Sequence, residues 1–158
     1  MFFAQGGGYQ WRLCPAGEAL TEECFFKAPL PFVGKQSLRW DAKDGIGGTQ
    51  IWFDGTYVSS GTLPKGSAWA KNPLPRNDFN DTRQGFTPPC EESPECDVYD
   101  RTGNKCFCSG MWGPYNLEIV DQVQIPSYLP KRDYVLGFRW DCEESNQIWA
   151  SCSDVTIV

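Results

Sequence analysis

Histidine is absent from this 158-residue chain, and that absence excludes several kinds of chemistry. A zinc site with mixed ligands has no imidazole to use, and a serine or cysteine nucleophile lacks its usual base. No Cys-x-x-Cys pair is present to suggest a thiolate zinc site. The acidic residues offer no recognisable setting for the paired carboxylates of a glycoside hydrolase. The sequence therefore favours a protein that is not an enzyme.

Long apolar runs and an excess of basic residues are also missing. No segment approaches the roughly 18 consecutive apolar residues that a membrane-spanning helix needs, so we expect no membrane span. The formal net charge is −6, and an acidic chain of this kind repels phosphate backbones. We therefore expect no nucleic-acid partner.

No window shows a sustained helical period, whereas sixteen Gly and twelve Pro interrupt the chain throughout. Alternation of apolar and polar residues is clearest in residues 9–14, where Tyr9, Trp11 and Leu13 alternate with Gln10, Arg12 and Cys14. Further strand patterns are "ALTEECFFK", "SLRWD", "TQIWFDGTYVS", "LEIVDQVQI" and a C-terminal hairpin in "DYVLGFRWDCEESNQIWASCSDVTIV". The pattern predicts an all-β fold, a β-sandwich of about seven strands forming one domain over residues 1–158. Residues 61–117 are predicted to be a long loop region pinned by disulfides.

Eight cysteines, an even number without metal-ligand spacing, predict four disulfides and an oxidising compartment. Hairpin spacing favours one bridge between Cys14 and Cys24 and another between Cys142 and Cys152. Within the loop region we prefer Cys90 with Cys108 and Cys96 with Cys106, although spacing leaves these pairings open. Asn80 begins an Asn-Asp-Thr glycosylation sequon, in agreement with an extracellular or cell-surface location. Because "MFFAQ" is too short for a signal peptide, we expect a further N-terminal segment before Met1.

Aromatic residues are abundant, and flat rings stack on the apolar faces of sugars. Five of them lie outside the strongest core patterns and are candidate carbohydrate-binding residues: Trp52, Tyr57, Trp69, Trp112 and Tyr115. We expect the last four to share one surface formed by loops. Ordinary core or loop packing is the alternative for each. Core positions are predicted instead for Trp11, Phe138 and Trp140, which alternate with other apolar residues.

Three segments together resemble a known family: "GGGYQWRLCPAGEALTEECF", "GTYVSSGTLPKGSAWAKNPLP" and "YVLGFRWDCEESNQIWASCSDVTIV". They are similar to the chitin-binding, lytic polysaccharide monooxygenase-like domains of algal and other microbial eukaryotes. The likeness runs through residues 6–158, and its C-terminal segment is the most specific part. It implies an immunoglobulin-like β-sandwich that acts on chitin or cellulose.

Active members of that family hold one copper ion between two histidines, one at the mature N-terminus and one internal. In the relatives that this chain resembles, the internal histidine stands just before the glycine run. Gln5 occupies that position here, or Ala4 if the alignment slips by one. Copper of this kind needs imidazole nitrogen, and an amide is a poor substitute. We therefore expect Gln5 to be a degenerate metal position and the chain to carry no cofactor.

The leading hypothesis is a secreted or cell-surface domain that binds polysaccharide without cleaving it. A structural subunit of an extracellular assembly, matrix or filament is the alternative, with other chains of that assembly as its partners. A copper-dependent polysaccharide monooxygenase truncated at its N-terminus is the third hypothesis. The sequence does not identify the polysaccharide.

Overall fold

The structure is a computed structural model that describes residues 6–40, 49–73, 117–143 and 145–158. In this part of the chain there are eight strands and one short helix. In chain order they are β1 (Gly8–Pro15), α1 (Glu22–Phe25), β2 (Gln36–Trp40), β3 (Thr49–Phe53), β4 (Tyr57–Val58), β5 (Trp69–Lys71), β6 (Leu117–Val120), β7 (Asp133–Asp141) and β8 (Ile148–Thr156). Several residues singled out from the sequence lie outside the described residues: Gln5, Asn80, Cys90, Cys96, Cys106, Cys108, Trp112 and Tyr115.

The strands form two antiparallel sheets, one with the order β4-β5-β1-β7-β8 and one with the order β3-β2-β6. The chain divides into two compact units, and each unit is built on one of these sheets. Among the described residues, strands joined by turns and one helix of a single turn match what the distribution of Gly and Pro indicates. The predicted all-β class is confirmed, with two antiparallel sheets of five and three strands.

The three-stranded sheet forms where the sequence predicts strands. β2 is its central strand, and Leu38 at its middle is fully buried between Ile51 of β3 and Ile119 of β6. The neighbouring residue, Arg39, forms an ion pair with Glu118 on β6 at 2.6 Å. Cross-strand pairs of this kind fix the register of a short sheet, because a one-residue slip would reverse every side chain.

β1 is the central strand of the five-stranded sheet, and the structure covers it on both sides. We call the side that carries Tyr9, Trp11 and Leu13 the apolar face, and the side that carries Gln10, Arg12 and Cys14 the charged face. The apolar face holds the main core cluster, in which the buried members are Leu13, Ala28, Leu30 and Tyr134.

Aromatic rings continue the apolar face towards the glycine run. Tyr9 is 2% exposed and contacts Phe32 edge-on at 5.9 Å and Phe138 at 5.6 Å between ring centroids. Trp11 contacts Phe138 at 5.0 Å. Trp11, Phe138 and Trp140 are half-buried, so they line the core rather than fill its centre.

The segment after the first turn is a helix and not the returning strand that we expected. Thr21 caps it, since its hydroxyl oxygen accepts a hydrogen bond from the backbone N–H of Cys24. Glu22 and Glu23 occupy the first turn, where negative charge is favoured by the helix dipole. The predicted disulfide between Cys14 and Cys24 is present, with 5.4 Å between the Cα atoms. It fixes α1 to β1.

The predicted disulfide between Cys142 and Cys152 is wrong, since both cysteines are free. In the β7–β8 hairpin Asp141 lies opposite Ile148 and Gly137 lies opposite Cys152. Cys142 is therefore five residues, roughly 17 Å, along the ladder from the position opposite Cys152. The odd offset also places the two side chains on opposite faces of the sheet, whereas we had assigned them to one layer.

Two further strand predictions were wrong. β5 (Trp69–Lys71) lies inside the region predicted to be a long loop, because three residues show too little alternation to recognise. The segment "TQIWFDGTYVS" was predicted as one strand. It divides at Asp54–Thr56 into β3 and β4, which belong to different sheets.

Candidate functional site

The charged face of the five-stranded sheet gathers two arginines and two carboxylates into one network. Arg12 on β1 donates two hydrogen bonds to the Glu22 carboxylate on α1, at 2.6 and 3.1 Å. Arg139 on β7 donates a third to Glu22 at 2.7 Å. Its guanidinium also forms a bidentate pair with Asp141, at 2.6 and 2.9 Å. Each arginine is therefore fixed by at least one carboxylate in the fork geometry that guanidinium favours.

Phe25 supports the buried end of this network. The Arg12 side chain is only 2% exposed, and its guanidinium lies 4.8 Å from the centre of the Phe25 ring. Gly137 on β7 makes room for that ring, since a Cβ atom there would stand 2.7 Å from the Phe25 ring edge. Helix α1 lies against the sheet because this position has no side chain.

Trp69 forms the open end of the network. The centre of its ring lies 5.9 Å from the Arg139 guanidinium carbon, within the range of a cation–π contact. Its indole N–H donates to the carbonyl oxygen of Leu63 at 3.1 Å, which fixes the ring plane. The side chain is half-buried, so part of the ring remains open to solvent.

The glycine run in residues 6–8 allows this arrangement. A Cβ atom at Gly8 would lie 3.8 Å from the Trp69 ring and 3.3 Å from the carbonyl oxygen of Ala70. A Cβ atom at Gly7 would collide with the carbonyl oxygen of Asp141, and Gly7 has a φ of 88°. The glycines therefore bring β5 and the end of β7 close to β1.

The electrostatics of the network favour its charged form. Hydrogen bonds from Arg12, helped by Arg139, lower the pKa of Glu22 against the opposing effect of burial. The hydrogen bond to Asp141, and a second one to Glu22, raise the pKa of Arg139. The Glu22 and Asp141 side chains are still 44% and 41% exposed. Each carboxylate therefore keeps acceptor capacity facing solvent.

Gln10 adds a polar group beneath the open end. It is fully buried and lies opposite Arg139 in the β1–β7 register. Its amide nitrogen donates to the carbonyl oxygen of Ala68 at 3.4 Å, while its side-chain oxygen has no hydrogen-bond partner among the described residues. A buried acceptor of this kind is unusual in a native fold.

Of the three candidate aromatic residues that the structure describes, only Trp69 joins this network. Tyr57 lies opposite Ala70, while Val58 lies opposite Trp69, so Tyr57 and Trp69 occupy opposite faces of the sheet. Tyr57 stacks on Phe32 at 5.1 Å instead. The prediction of one surface shared by these two aromatics is therefore wrong. Trp52 is 52% exposed, on β3 of the three-stranded sheet.

The charged members of the network were not found by sequence reasoning. Arg12 and Arg139 occupy the polar positions of alternating strands, which are usually solvated in an antiparallel sheet. Glu22 was assigned to a strand. The sequence did hold a usable signal, since Thr21 followed by two glutamates is typical of a helix start. A helix here would have placed Glu22 beside β1.

The chain has no match among known proteins, and its described residues contain no metal-binding group. No family model, curated protein or solved structure matches the chain. Within residues 6–40, 49–73, 117–143 and 145–158, no cluster of three or more metal-ligating side chains occurs. The same residues contain no helix long and apolar enough to cross a membrane.

Proposed function

We propose that this chain is a secreted or cell-surface domain that binds a neutral polysaccharide through the open end of the charged face, without a histidine-held copper ion. The observation that carries the proposal is the half-open Trp69 ring, fixed beside Arg139 and flanked by partly exposed carboxylates. A flat ring offers a stacking surface for a sugar, and the neighbouring charged groups offer hydrogen bonds to its hydroxyls.

The charge balance of the site favours a neutral ligand. Two guanidinium groups and two carboxylates compensate each other, so an anionic sugar gains no net attraction there. All four groups are already ordered by mutual hydrogen bonds, so little side-chain entropy is lost when a ligand binds. The resemblance to chitin-binding domains supports chitin or cellulose as the class of ligand.

Retention on insoluble chitin and cellulose tests the proposal. We expect Trp69→Ala to weaken retention roughly two- to tenfold, the factor that corresponds to a stacking contact of about 0.5–1.5 kcal/mol. Two matched variants, Trp149→Ala and Trp52→Ala, remove exposed tryptophans that make no contact with the charged groups of the network among the described residues. They should leave retention unchanged.

Two results would overturn the proposal. One is the absence of retention on either polymer by the unaltered chain. The other is an equal loss in all three tryptophan variants, since that would indicate non-specific adsorption through exposed rings. Circular dichroism of each variant shows whether it has kept its fold.

A further inference from the structure

Strand β8 is the long outer edge of the five-stranded sheet, and it lacks the features that usually protect such an edge. It spans nine residues and, in the part of the chain that the structure describes, pairs with β7 alone. It contains no Pro and no Lys, and its one charged residue is Asp154. Ile148 and Trp149 are more than half exposed. The opposite edge, β4, has only two residues.

The hydrogen-bond pattern of the hairpin identifies which backbone groups face outward. The N–H of Cys142 donates to the carbonyl of Gln147, and the N–H of Ile157 donates to the carbonyl of Arg132. Hydrogen-bonded pairs alternate along an antiparallel ladder, so the odd-numbered residues of β8 bond to β7. The even-numbered residues therefore direct their N–H and C=O groups away from the sheet: Ile148, Ala150, Cys152, Asp154 and Thr156.

We propose that β8 pairs antiparallel with β8 of a second copy of this chain, about a two-fold axis at Cys152. Cys152 is the midpoint of the strand, so this register uses every outward-facing backbone group of both copies. The two sheets then join into one continuous sheet across the axis.

The side chains of β8 are complementary to themselves in this register. Asp154, the one charged residue, lies opposite Ala150 of the second copy, so no two like charges meet. Trp149 lies opposite Val155 and Ile148 lies opposite Thr156, which are aromatic and β-branched pairs that favour strand pairing. These contacts favour a second copy over an unrelated strand as the occupant.

The two cysteines at the two-fold axis allow the proposed dimer to be trapped by a disulfide. Cys152 is free and exposed, and the register places it opposite Cys152 of the second copy. Hydrogen-bonded antiparallel pairs have Cα atoms about 5.5 Å apart. That separation lies inside the range of roughly 4.4–6.8 Å that a disulfide spans. Oxidised glutathione can close the bond by exchange: two thiols become one disulfide, and the glutathione disulfide takes the two electrons and two protons to become two glutathione thiols.

The first experiment measures association of the full chain. We expect sedimentation velocity to show a dimer that increases with protein concentration, and oxidised glutathione to trap it as a covalent dimer on a non-reducing gel. Cys152→Ser should abolish the covalent dimer, whereas Cys142→Ser, the matched control, should keep it. A chain that stays monomeric at every concentration overturns the proposal, and so does a covalent dimer that only Cys142→Ser removes.

The second experiment tests the register. Ala150→Asp places a carboxylate opposite Asp154 of the second copy, once on each side of the two-fold axis, and we expect the dimer to weaken by roughly two- to thirtyfold. Ala150→Lys places an ammonium opposite the same carboxylate and should leave association unchanged or stronger. Ala150 is exposed but lies opposite Arg139 within the chain, so circular dichroism must first show that both variants keep their fold. Equal effects of the two substitutions overturn the proposed pairing, even if a dimer is present.

Discussion

The two faces of β1 are buried to a similar degree, yet different forces stabilise them. On the apolar face, Tyr9 and Leu13 are 2% and 1% exposed and pack against aromatic and aliphatic side chains. On the charged face, Arg12 and Cys14 are 2% and 0% exposed, but they are covered by a one-turn helix. A disulfide, ion pairs and one aromatic ring attach that helix. The apolar face can adjust by repacking, whereas the charged face depends on a few specific bonds.

The apolar face should show the largest response to a single truncation. We expect Leu13→Ala to lower the free energy of unfolding by about 2–5 kcal/mol, because Leu13 lies in the main core cluster and its removal leaves a cavity. Urea unfolding measures the change. Leu20→Ala makes the same chemical change at a position that is 53% exposed, and it should cost less than about 0.5 kcal/mol. Equal losses at the two sites would contradict this assignment of the core.

The disulfide should be the strongest single support of the charged face. Replacing Cys14 and Cys24 together by Ala should lower the free energy of unfolding by roughly 3 kcal/mol, the loop-entropy value for a closure of ten residues. Replacing the free cysteines Cys142 and Cys152 together by Ala is the matched control, and it should leave monomer stability nearly unchanged. A large loss in that control would mean that one of these thiols is paired in the folded chain.

The charged face should also be sensitive to added volume at one point. Gly137→Ala places a Cβ atom 2.7 Å from the Phe25 ring, and Phe25 is only 5% exposed, so the ring must move with α1. We expect a loss of about 1–3 kcal/mol, the usual cost of overpacking. The double variant with Phe25→Leu should lose less than the sum of the two single changes, since the smaller side chain relieves the collision. Strict additivity in urea unfolding would show that the two positions are independent.

The sequence predicted some features of this fold correctly and others wrongly, depending on whether the signal is local. Period-two alternation in β1 and β7 and the spacing of Cys14 and Cys24 are local signals, and both predictions from them are confirmed. The register of β7 against β8 depends on the geometry of the connecting turn. Residues 142–147 give no clear turn signature, so the pairing of Cys142 with Cys152 was wrong.

The site was only partly predictable for a related reason. Trp69 was identified because it is a large aromatic residue in a segment without strand periodicity. Tyr57 was placed beside it because the sequence does not reveal that both belong to paired strands, where one register step decides the face. The contact of Glu22 with Arg12 and Arg139 depends on helix α1, whose four residues are too few for a periodic pattern.

The smallest effect that we predict is the pH dependence of stability that comes from the Glu22 carboxylate on the charged face. The folded-state pKa of Glu22 lies below its ordinary value of 4.5, chiefly because Arg12 donates hydrogen bonds to it. A depressed carboxyl pKa stabilises the folded state above the unfolded pKa, and this stabilisation is lost as the pH falls from about 4.5 through the folded-state pKa. We therefore expect Glu22→Gln to be less stable than the unaltered chain at neutral pH. The difference should shrink in acid.

Urea unfolding at a series of pH values from neutral to strongly acidic measures this difference. Its pH-dependent part should be small, because the Glu22 side chain is 44% exposed. Asp154→Asn is the control, since that carboxylate lies on β8 and makes no ion pair among the described residues. It removes one carboxylate without removing an ion pair among those residues. If Glu22→Gln and the unaltered chain differ equally at every pH, the ion pairs of Glu22 with Arg12 and Arg139 contribute nothing to stability. The disulfide and the Phe25 ring would then hold α1 against the sheet by themselves.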